Sequence, residues 1–573
     1  MEQLTTQFQQ LSIDTNYVDI GPSPFPIPTH TTNPFALEAH KKTVLYSMSK
    51  YFYTYEIEQV LAMHRPDDTF VEDIYNDFFE GDIPYHDIIK DDIYYKALHY
   101  VESQFKPPQK CRPAHIFDVR YHYNHERSSN AEAPFSTESH YRDQVIHPSP
   151  TPKDYAPYSL GTMYNIVFDE TRRFHHLIKN GANYKDFLWY IVHHNRYMLT
   201  KPEKLSKTRT VSGFPRPQNI AWIQFTWSYL NWMRTRDSRT SPMLWNFETN
   251  LGGWLRLNYL LFIDYHSHSI ITLDKRTFDK YYFFSIQDDI DTMFESFIEF
   301  DNGYLPTVDY PDTASSWSIT KGNRLRRLFR WLTYSFRNCP TVFLDGRMYR
   351  RKFAGMPSGV YTVQIFDTIY FAITDTDVLL RMGLNLDQIT FRKGQGDDII
   401  SKIAVCIPPN EHAQFLETYS RIDNARFGST VSPDKSEIHN TPQGVEVLGY
   451  RNNNGLPVRS TTDLLGALYH TKARKPTESI TMSVAVGIAY ASLLHDPRIY
   501  KCCKDIYNYY ADQGHTLSQS WLRRTTRWTN LPIATTTSFP TEDEIRANLF
   551  DFSFEPRKKT QDSYPRDHFL SDF

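Results

Sequence analysis

Phe391-Arg392-Lys393-Gly394-Gln395-Gly396-Asp397-Asp398-Ile399-Ile400 is the stretch around which the other parts of the chain fall into order. Apolar residues precede the turn at Ile389 and Phe391 and follow it at Ile399, Ile400, Ile403 and Val405, the pattern of two short strands joined by a Gly-rich turn. Such a hairpin holds Asp397 and Asp398 side by side on a rigid, exposed tip. Neighbouring carboxylates repel, and without partners one of them is driven towards its neutral form. A divalent cation removes that cost, and Mg²⁺ in particular takes one or two carboxylates together with the phosphate oxygens of a substrate. The tip therefore points to phosphate chemistry. Gly and Asp are also ordinary turn residues, so a solvated hairpin is the competing explanation until more residues join.

A second carboxylate strand lies upstream, in Ser269-Ile270-Ile271-Thr272-Leu273-Asp274-Lys275-Arg276-Thr277-Phe278-Asp279. An apolar, β-favouring run ends at Asp274, and Asp279 follows after a short gap. If this strand neighbours the hairpin, Asp274 and Asp397 can share a pair of ions about 3.5–4 Å apart. Further upstream, Lys207, Arg209 and Val211 fall on one face of an extended segment, and a Lys with an Arg on one face suits a triphosphate. Between the two acidic strands, Gly355-Met356-Pro357-Ser358-Gly359 is forced into a loop. The apolar residues after it predict a helix whose N-terminus faces the same cavity. The bare backbone at Ser358 and Gly359 would allow a nucleotide chain to approach closely.

Composition limits the alternatives. The 573 residues carry a net charge of −3 and a pI near 6.7, so no whole-molecule basic field advertises nucleic acid. Binding must rely on a local lining, for which Arg324, Arg326, Arg327 and Arg330, and then Arg347, Arg350, Arg351 and Lys352, are candidates. Five cysteines without paired spacing indicate neither a zinc site nor a disulfide framework and fit a reducing compartment. No secretory signal and no run of about 18 uncharged apolar residues is present, so a soluble, intracellular protein is expected.

Residues 1–40, rich in Thr, Pro and Gln, predict an extended arm. The acidic run from Asp67 to Asp82 reads as a solvated outer face. Trp222 to Leu230 suggests an amphipathic helix, and the histidines at 175–176, 193–194, 266 and 268 lack a third spaced metal partner. Gly455 to Arg459 closes a further hairpin. Helices are predicted over the apolar Thr477–Leu494 stretch and from Pro497 towards Gly514.

In order along the chain, Lys207-x-Arg209, Asp274-x4-Asp279, Ser358-Gly359, Gly396-Asp397-Asp398 and Lys435 resemble the ordered motifs of viral RNA-dependent RNA polymerases. The Gly-x-Pro-Ser-Gly loop, the Leu448-Gly449-Tyr450 hairpin with Pro457 and Arg459, and the chain length are similar to the polymerases of partitiviruses, whose genomes are segmented double-stranded RNA. These motifs span roughly residues 200 to 460. The resemblance implies an α+β right-hand fold: an arm (1–40), an N-terminal region with fingers (41–260, basic strand 201–211, and an insertion 301–339), an antiparallel-sheet palm (261–300 and 340–460) and a thumb with C-terminal segment (461–573).

The resemblance further implies that Asp274, Asp397 and Asp398 bind two Mg²⁺ ions, with Mn²⁺ as a substitute, and that Lys207 and Arg209 grip the ribonucleoside triphosphate. Lys435 would protonate the leaving pyrophosphate. Asp279 would read the ribose 2′-hydroxyl, with Ser358, Gly359 and Asp367 beside the nucleotide and Gly355, Ser358, Gly359, Arg350 and Arg351 against RNA template and product. A capsid protein is the expected protein partner, and the virion interior in the host cytoplasm the expected location. One departure stands out: picornavirus-like relatives carry Thr and Asn where this chain has Val363 and Asp367, with Thr362 one place early. If Asp367 faces Asp279, two carboxylates must share a proton, an ion or a donor. The rival readings are a reverse transcriptase, disfavoured because Gln395-Gly396 precedes the paired Asp where Tyr-x is usual, and a non-catalytic RNA-packaging protein of polymerase-like shape, which has no need for Asp274, Asp397 and Lys435 together.

Overall fold

Twelve strands among the described residues form three sheets. The computed structural model describes residues 14–26, 32–65, 71–145, 156–202, 208–526, 536–547, 549–553, 564–565 and 567–573. In chain order the strands are β1 (Tyr17–Pro22), β2 (Ile191–Tyr197), β3 (Thr208–Gly213), β4 (Ser269–Leu273), β5 (Thr341–Val342), β6 (Arg347–Arg351), β7 (Ile389–Gln395), β8 (Asp398–Ile403), β9 (Glu437–His439), β10 (Glu446–Val447), β11 (Tyr450–Asn453) and β12 (Leu456–Val458). The helices that matter below are α1 (Pro34–Tyr51), α2 (Val71–Phe79), α3 (Ile116–His122), α4 (Arg216–Thr235), α5 (Val363–Arg381), α6 (His412–Phe427), α7 (Glu478–Ser492) and α8 (Pro497–Ala511).

The four-stranded sheet runs β7-β8-β4-β9 and is antiparallel throughout. Its strands are rich in Ile and buried on β4 and β8, as expected of β-branched residues on a pleated surface covered by helices. Helix α5 lies against β7 and β8. It has no Gly or Pro in 19 residues and is buried almost all round, so its inward Asp367, Asp375 and Asp377 must be accommodated by the interior.

The five-stranded sheet runs β1-β6-β5-β2-β3. Its edge strand β1 comes from the region expected to be an arm: Tyr17 to Pro22 pair with β6, and Asn33 caps α1 from Pro34, so the described part of residues 1–40 is not an extended arm. The small third sheet, β10-β11-β12, is a meander whose turns, Leu448-Gly449 and Asn454-Gly455, have positive φ at both positions. That is the type I′ geometry matching strand twist, and the second turn is the hairpin expected from Gly455.

Helix α4 corrects the amphipathic reading. Every residue from Ile220 to Asn231 is buried, with Trp222, Trp227 and Tyr229 at its centre, because other elements clasp it on all sides. The largest core joins it to α5 and the four-stranded sheet, while a second core packs Val44 and Met48 of α1 against Val486, Ala489, Cys502, Cys503 and Ile506 of α7 and α8. The two helices expected there form, α8 starting at Asp496-Pro497 as predicted; the side chains of Thr477 and Asp496 cap them. No helix among the described residues is long and apolar enough to cross a membrane.

Candidate active site

The hairpin tip is built by a two-residue turn. Gln395 pairs with Asp398, leaving Gly396 and Asp397 between them, and Gly396 has φ +73°, the first-position requirement of a type II′ turn. The Gly396 N–H donates to Thr368 Oγ of α5 at 2.9 Å, so helix and turn are locked together. Asp397 and Asp398 remain exposed at the tip.

Strand register brings in the second acidic strand. Leu273 pairs with Ile399, so the next residues along, Asp274 and Asp398, emerge together at the same end of β4 and β8. The Asp274 backbone is fastened on both sides: its N–H donates to Ser436 Oγ at 3.0 Å and its carbonyl accepts from Ser432 N–H at 2.8 Å. That turn carries Lys435, whose Nζ lies 3.2 Å from Asp274 Oδ2, both side chains about half exposed. A pair so open contributes little stability.

The electrostatics are those of an acidic cluster short of counter-charge. Enclosure by surrounding protein, and then the charges of Asp397 and Asp274, push the Asp398 carboxyl up to about 6. Asp397 is also raised, by enclosure and by Asp274, with Arg209 and Lys435 opposing. Solvent reaches these carboxylates, while the protein around them limits their hydration. An all-oxygen set of three carboxylates with frustrated charge fits a hard divalent cation. Lys435 also donates to Asp274 Oδ2.

Arg209 is exposed on β3, and its charge acts on both Asp397 and Asp279 from across the cleft. Lys207 lies outside the described residues. Asp279 accepts from the Met356 N–H through its carbonyl at 2.7 Å, which ties it to the 355–359 loop. Its carboxyl is raised by enclosure, with Asp77 and Asp397 adding repulsion while Lys280 and Arg209 oppose. Asp367 completes the acidic wall. It is buried on α5, its Oδ1 has no hydrogen-bond partner, and burial followed by the charges of Asp397 and Asp279 holds it far above the usual carboxylate range.

The loop itself is spoken for by protein. Ser358 Oγ accepts from the Ser212 N–H of β3 at 3.0 Å. A Cβ on Gly359 would stand 2.1 Å from Ser212 O, so that glycine is required by strand packing rather than by a nucleic acid. Gly355 donates to Tyr282 O and accepts from Arg351. Arg351 needs a correction as an RNA contact: it is buried, bonded to the Gly355 and Phe336 carbonyls, and packed over the Phe284 and Phe336 rings. Strand alternation turns Arg350 outward and Arg351 inward. In the other basic group, Arg326 is paired with Asp301 and Arg327 donates to the Lys179 carbonyl.

Asp77 is a site neighbour that the sequence reading placed on a solvated face. Its Oδ2 accepts from both the N–H and the hydroxyl of Thr210, each at 2.7 Å, and its Oδ1 lies 3.2 Å from Lys280 Nζ. The signal was present: Ile74 and Phe78, one turn apart and both buried, place Asp77 at the edge of the inner face of α2.

No family model matches the chain. Among curated proteins, the chain is 34% identical over 616 aligned positions to the RNA-directed RNA polymerase of White clover cryptic virus 1, covering 100% of this chain and 99% of the relative. It is 25% identical over 467 positions to the RNA-directed RNA polymerase of Atkinsonella hypoxylon virus, covering 73% of this chain and 64% of that protein.

Proposed function

The chain belongs to the RNA-directed RNA polymerases of the partitivirus type, nucleotidyltransferases that synthesise RNA on an RNA template, and on that footing we propose how its residues divide the work. Asp274, Asp397 and Asp398 hold two Mg²⁺ ions, replaceable by Mn²⁺. When bound, such ions lower the pKa of the attacking 3′-hydroxyl and neutralise the triphosphate and leaving pyrophosphate. The observation that carries this reading is the β4–β8 register, which delivers the acidic residues of two distant segments to one end of one sheet.

Arg209, with Lys207 beside it in sequence, grips the triphosphate from the β3 side. Lys435, already beside Asp274, moves to the pyrophosphate and donates a proton to it. Burial and the charges of Asp397 and Asp279 hold the Asp367 carboxyl towards its neutral form, in which its hydroxyl can serve as a donor beside Asp279, leaving Asp279 as an acceptor for the ribose 2′-hydroxyl. This is a resolution of the missing Asn: a neutral carboxyl has a donor where an ionised one has none. Ser358 is the exposed residue of the loop that meets template or nucleotide, and Arg350 the outward guanidinium near the RNA path.

In this reading the β7-β8-β4-β9 sheet is the palm, within residues 261–300 and 340–460; residues 41–260 and 301–339 are fingers, and 461–573 the thumb and C-terminal segment. Template and product RNA and ribonucleoside triphosphates are the ligands, a capsid protein the partner, and the virion interior the setting. The test is purified protein with an RNA template, four ribonucleotides and Mg²⁺ beside Asp397→Ala. Template-dependent RNA is expected, falling at least about 10³-fold in the variant. Undiminished product in the variant would sink the assignment of Asp397, and product from deoxynucleotides alone would favour a reverse transcriptase.

A further inference from the structure

Away from the cleft, the final residues of the chain return to the body at a cluster that RNA synthesis does not use. Asp118 and His122 stand one turn apart on α3 and therefore share a face. His568 reaches them from the C-terminal segment, and Asp309 from the loop before Tyr310. His568 Nε2 lies 2.7 Å from Asp118 Oδ1, His122 Nε2 lies 3.2 Å from Asp309 Oδ2, and His568 Nδ1 lies 4.0 Å from the same oxygen. Ligand atoms of Asp118, His122 and His568 all fall within 4.8 Å of one another.

Two features resist explanation as an ordinary hydrogen-bonded cluster. Asp118 is 0% exposed, and although its Oδ1 takes His568 and the Thr307 hydroxyl, its Oδ2 has no hydrogen-bond partner. The His122 and His568 rings are stacked with centroids 3.5 Å apart and planes 20° from parallel. The stack sets ring nitrogens of both histidines beside the Asp118 carboxylate, within 4.8 Å of one another, while the second oxygen of that buried carboxylate has no partner. A metal ion held by the two imidazoles and the carboxylate gives that oxygen a partner and gathers the three donors into one shell.

We propose that Asp118, His122 and His568, with Asp309 as the outer fourth ligand, bind one transition-metal ion of the zinc class that fastens the C-terminal segment to the body. Two imidazole nitrogens with one or two carboxylates are a zinc-type donor set, whereas Mg²⁺ favours oxygen ligands. The ion at this site is thus chemically distinct from those at the hairpin tip. The segment it holds also makes packing contacts and backbone bonds: Tyr564 and Phe569 meet Trp227 edge-on at 5.8 and 4.9 Å, Val308 N–H donates to the His568 carbonyl, and Leu570 N–H to the Pro306 carbonyl. Tyr123, just beyond α3, touches both Trp227 and Tyr361, so the latch stands only a few side chains from the 355–359 loop.

The experiment uses the full chain, loaded with Zn²⁺ in Mg²⁺ buffer, desalted and measured for metal per chain by mass spectrometry. About one zinc per chain is expected in the wild type and in Asp397→Ala, and at most about a tenth of that in His568→Gln and His122→Gln. Loading with Co²⁺ gives an independent reading that needs no comparison of folded yields: a visible absorption band from an N/O site is expected in the wild type and its loss in either variant. Stripping the wild type with a chelator should speed carboxypeptidase trimming of the last residues, and zinc should restore protection. Wild-type protein that retains no zinc, or histidine variants that retain as much as the wild type, would overturn the site. Because the readout is metal content, it is independent of whether the polymerase assignments hold.

Discussion

Asp274 and Lys275 are consecutive, yet they belong to opposite electrostatic regimes, and the contrast separates function from scaffold. Lys275 turns inward, its Nζ 2.7 Å from Asp423 Oδ1 and 3.0 Å from Thr374 Oγ, with both charged side chains sealed from solvent. Arg392 of β7 is likewise bonded to Asp375, which also accepts from Tyr419 at 2.8 Å. On that side Asp375, Asp377 and Asp423 are each paired with a base from within the protein. At the sheet end, by contrast, Asp274, Asp397 and Asp398 face one another, and the basic residues opposing them among those described, Lys435 and Arg209, are both exposed. An internal pair is complete when the chain folds; in the function proposed above, a cation completes the acidic tip.

Substitutions on the two sides should therefore fail differently. The largest effect is on rate, where Asp397→Ala should lose at least about 10³-fold while its thermal melt stays near the wild type. Asp423→Ala should do the reverse. It strands the buried Lys275 ammonium and should cost about 3–5 kcal/mol of unfolding free energy by denaturant titration. Equal losses of stability in the two variants would erase the distinction.

Arg209→Ala should lower kcat/KM for ribonucleotides by about 10- to 100-fold, the worth of a charge-assisted contact of about 1.5–3 kcal/mol, with little change in melting. Gly359→Ala sharpens the contrast from the packing side. Its Cβ would collide with Ser212 O, and about 1–3 kcal/mol of destabilisation is expected whether or not RNA is present.

The smallest effect is on pH dependence. The Asp398 carboxyl is raised from 3.8 to about 6, so the folded protein binds the extra proton. Metal-free stability should consequently decline as pH rises through that window, and Asp398→Asn should melt slightly higher than the wild type above it. Mg²⁺ competes with the same proton, so the rise in Tm that it produces should be full near neutrality and shrink below about pH 6. A Mg²⁺ increment that grows as the solution is acidified would contradict the picture.

The hairpin was legible because apolar, β-favouring residues flank a short Gly-rich turn on both sides, and Gly396 supplies the conformation that turn needs. Asp274 was legible as the end of an apolar run. What could not be read is register: only the pairing of Leu273 with Ile399 decides that Asp274 and Asp398 emerge together. The roles of Arg350 and Arg351 were confused because a basic cluster hides the two-residue period that sends one outward and the other beneath Phe336. Asp77 was lost in an acidic run whose helical periodicity mattered more than its charge. Strand β1 was hidden within a Pro-rich segment, since its partner lies more than 300 residues away. The His122–His568 stack was equally invisible, because the residues that form it are joined only by the closing of the chain.

Strand β1 also sets a timetable for biogenesis. Tyr17 meets Arg351, and α1 meets α8 near residue 500, so each of these early segments waits for one synthesised more than 300 residues later. At about 5–20 residues per second, the β1 edge stays without its neighbour for roughly 20 to 70 s of translation. During that interval it is a bare hydrogen-bonding edge open to chaperones or to a strand from another nascent chain. Tags fused close to Tyr17 should accordingly harm yield more than tags placed elsewhere on the finished surface.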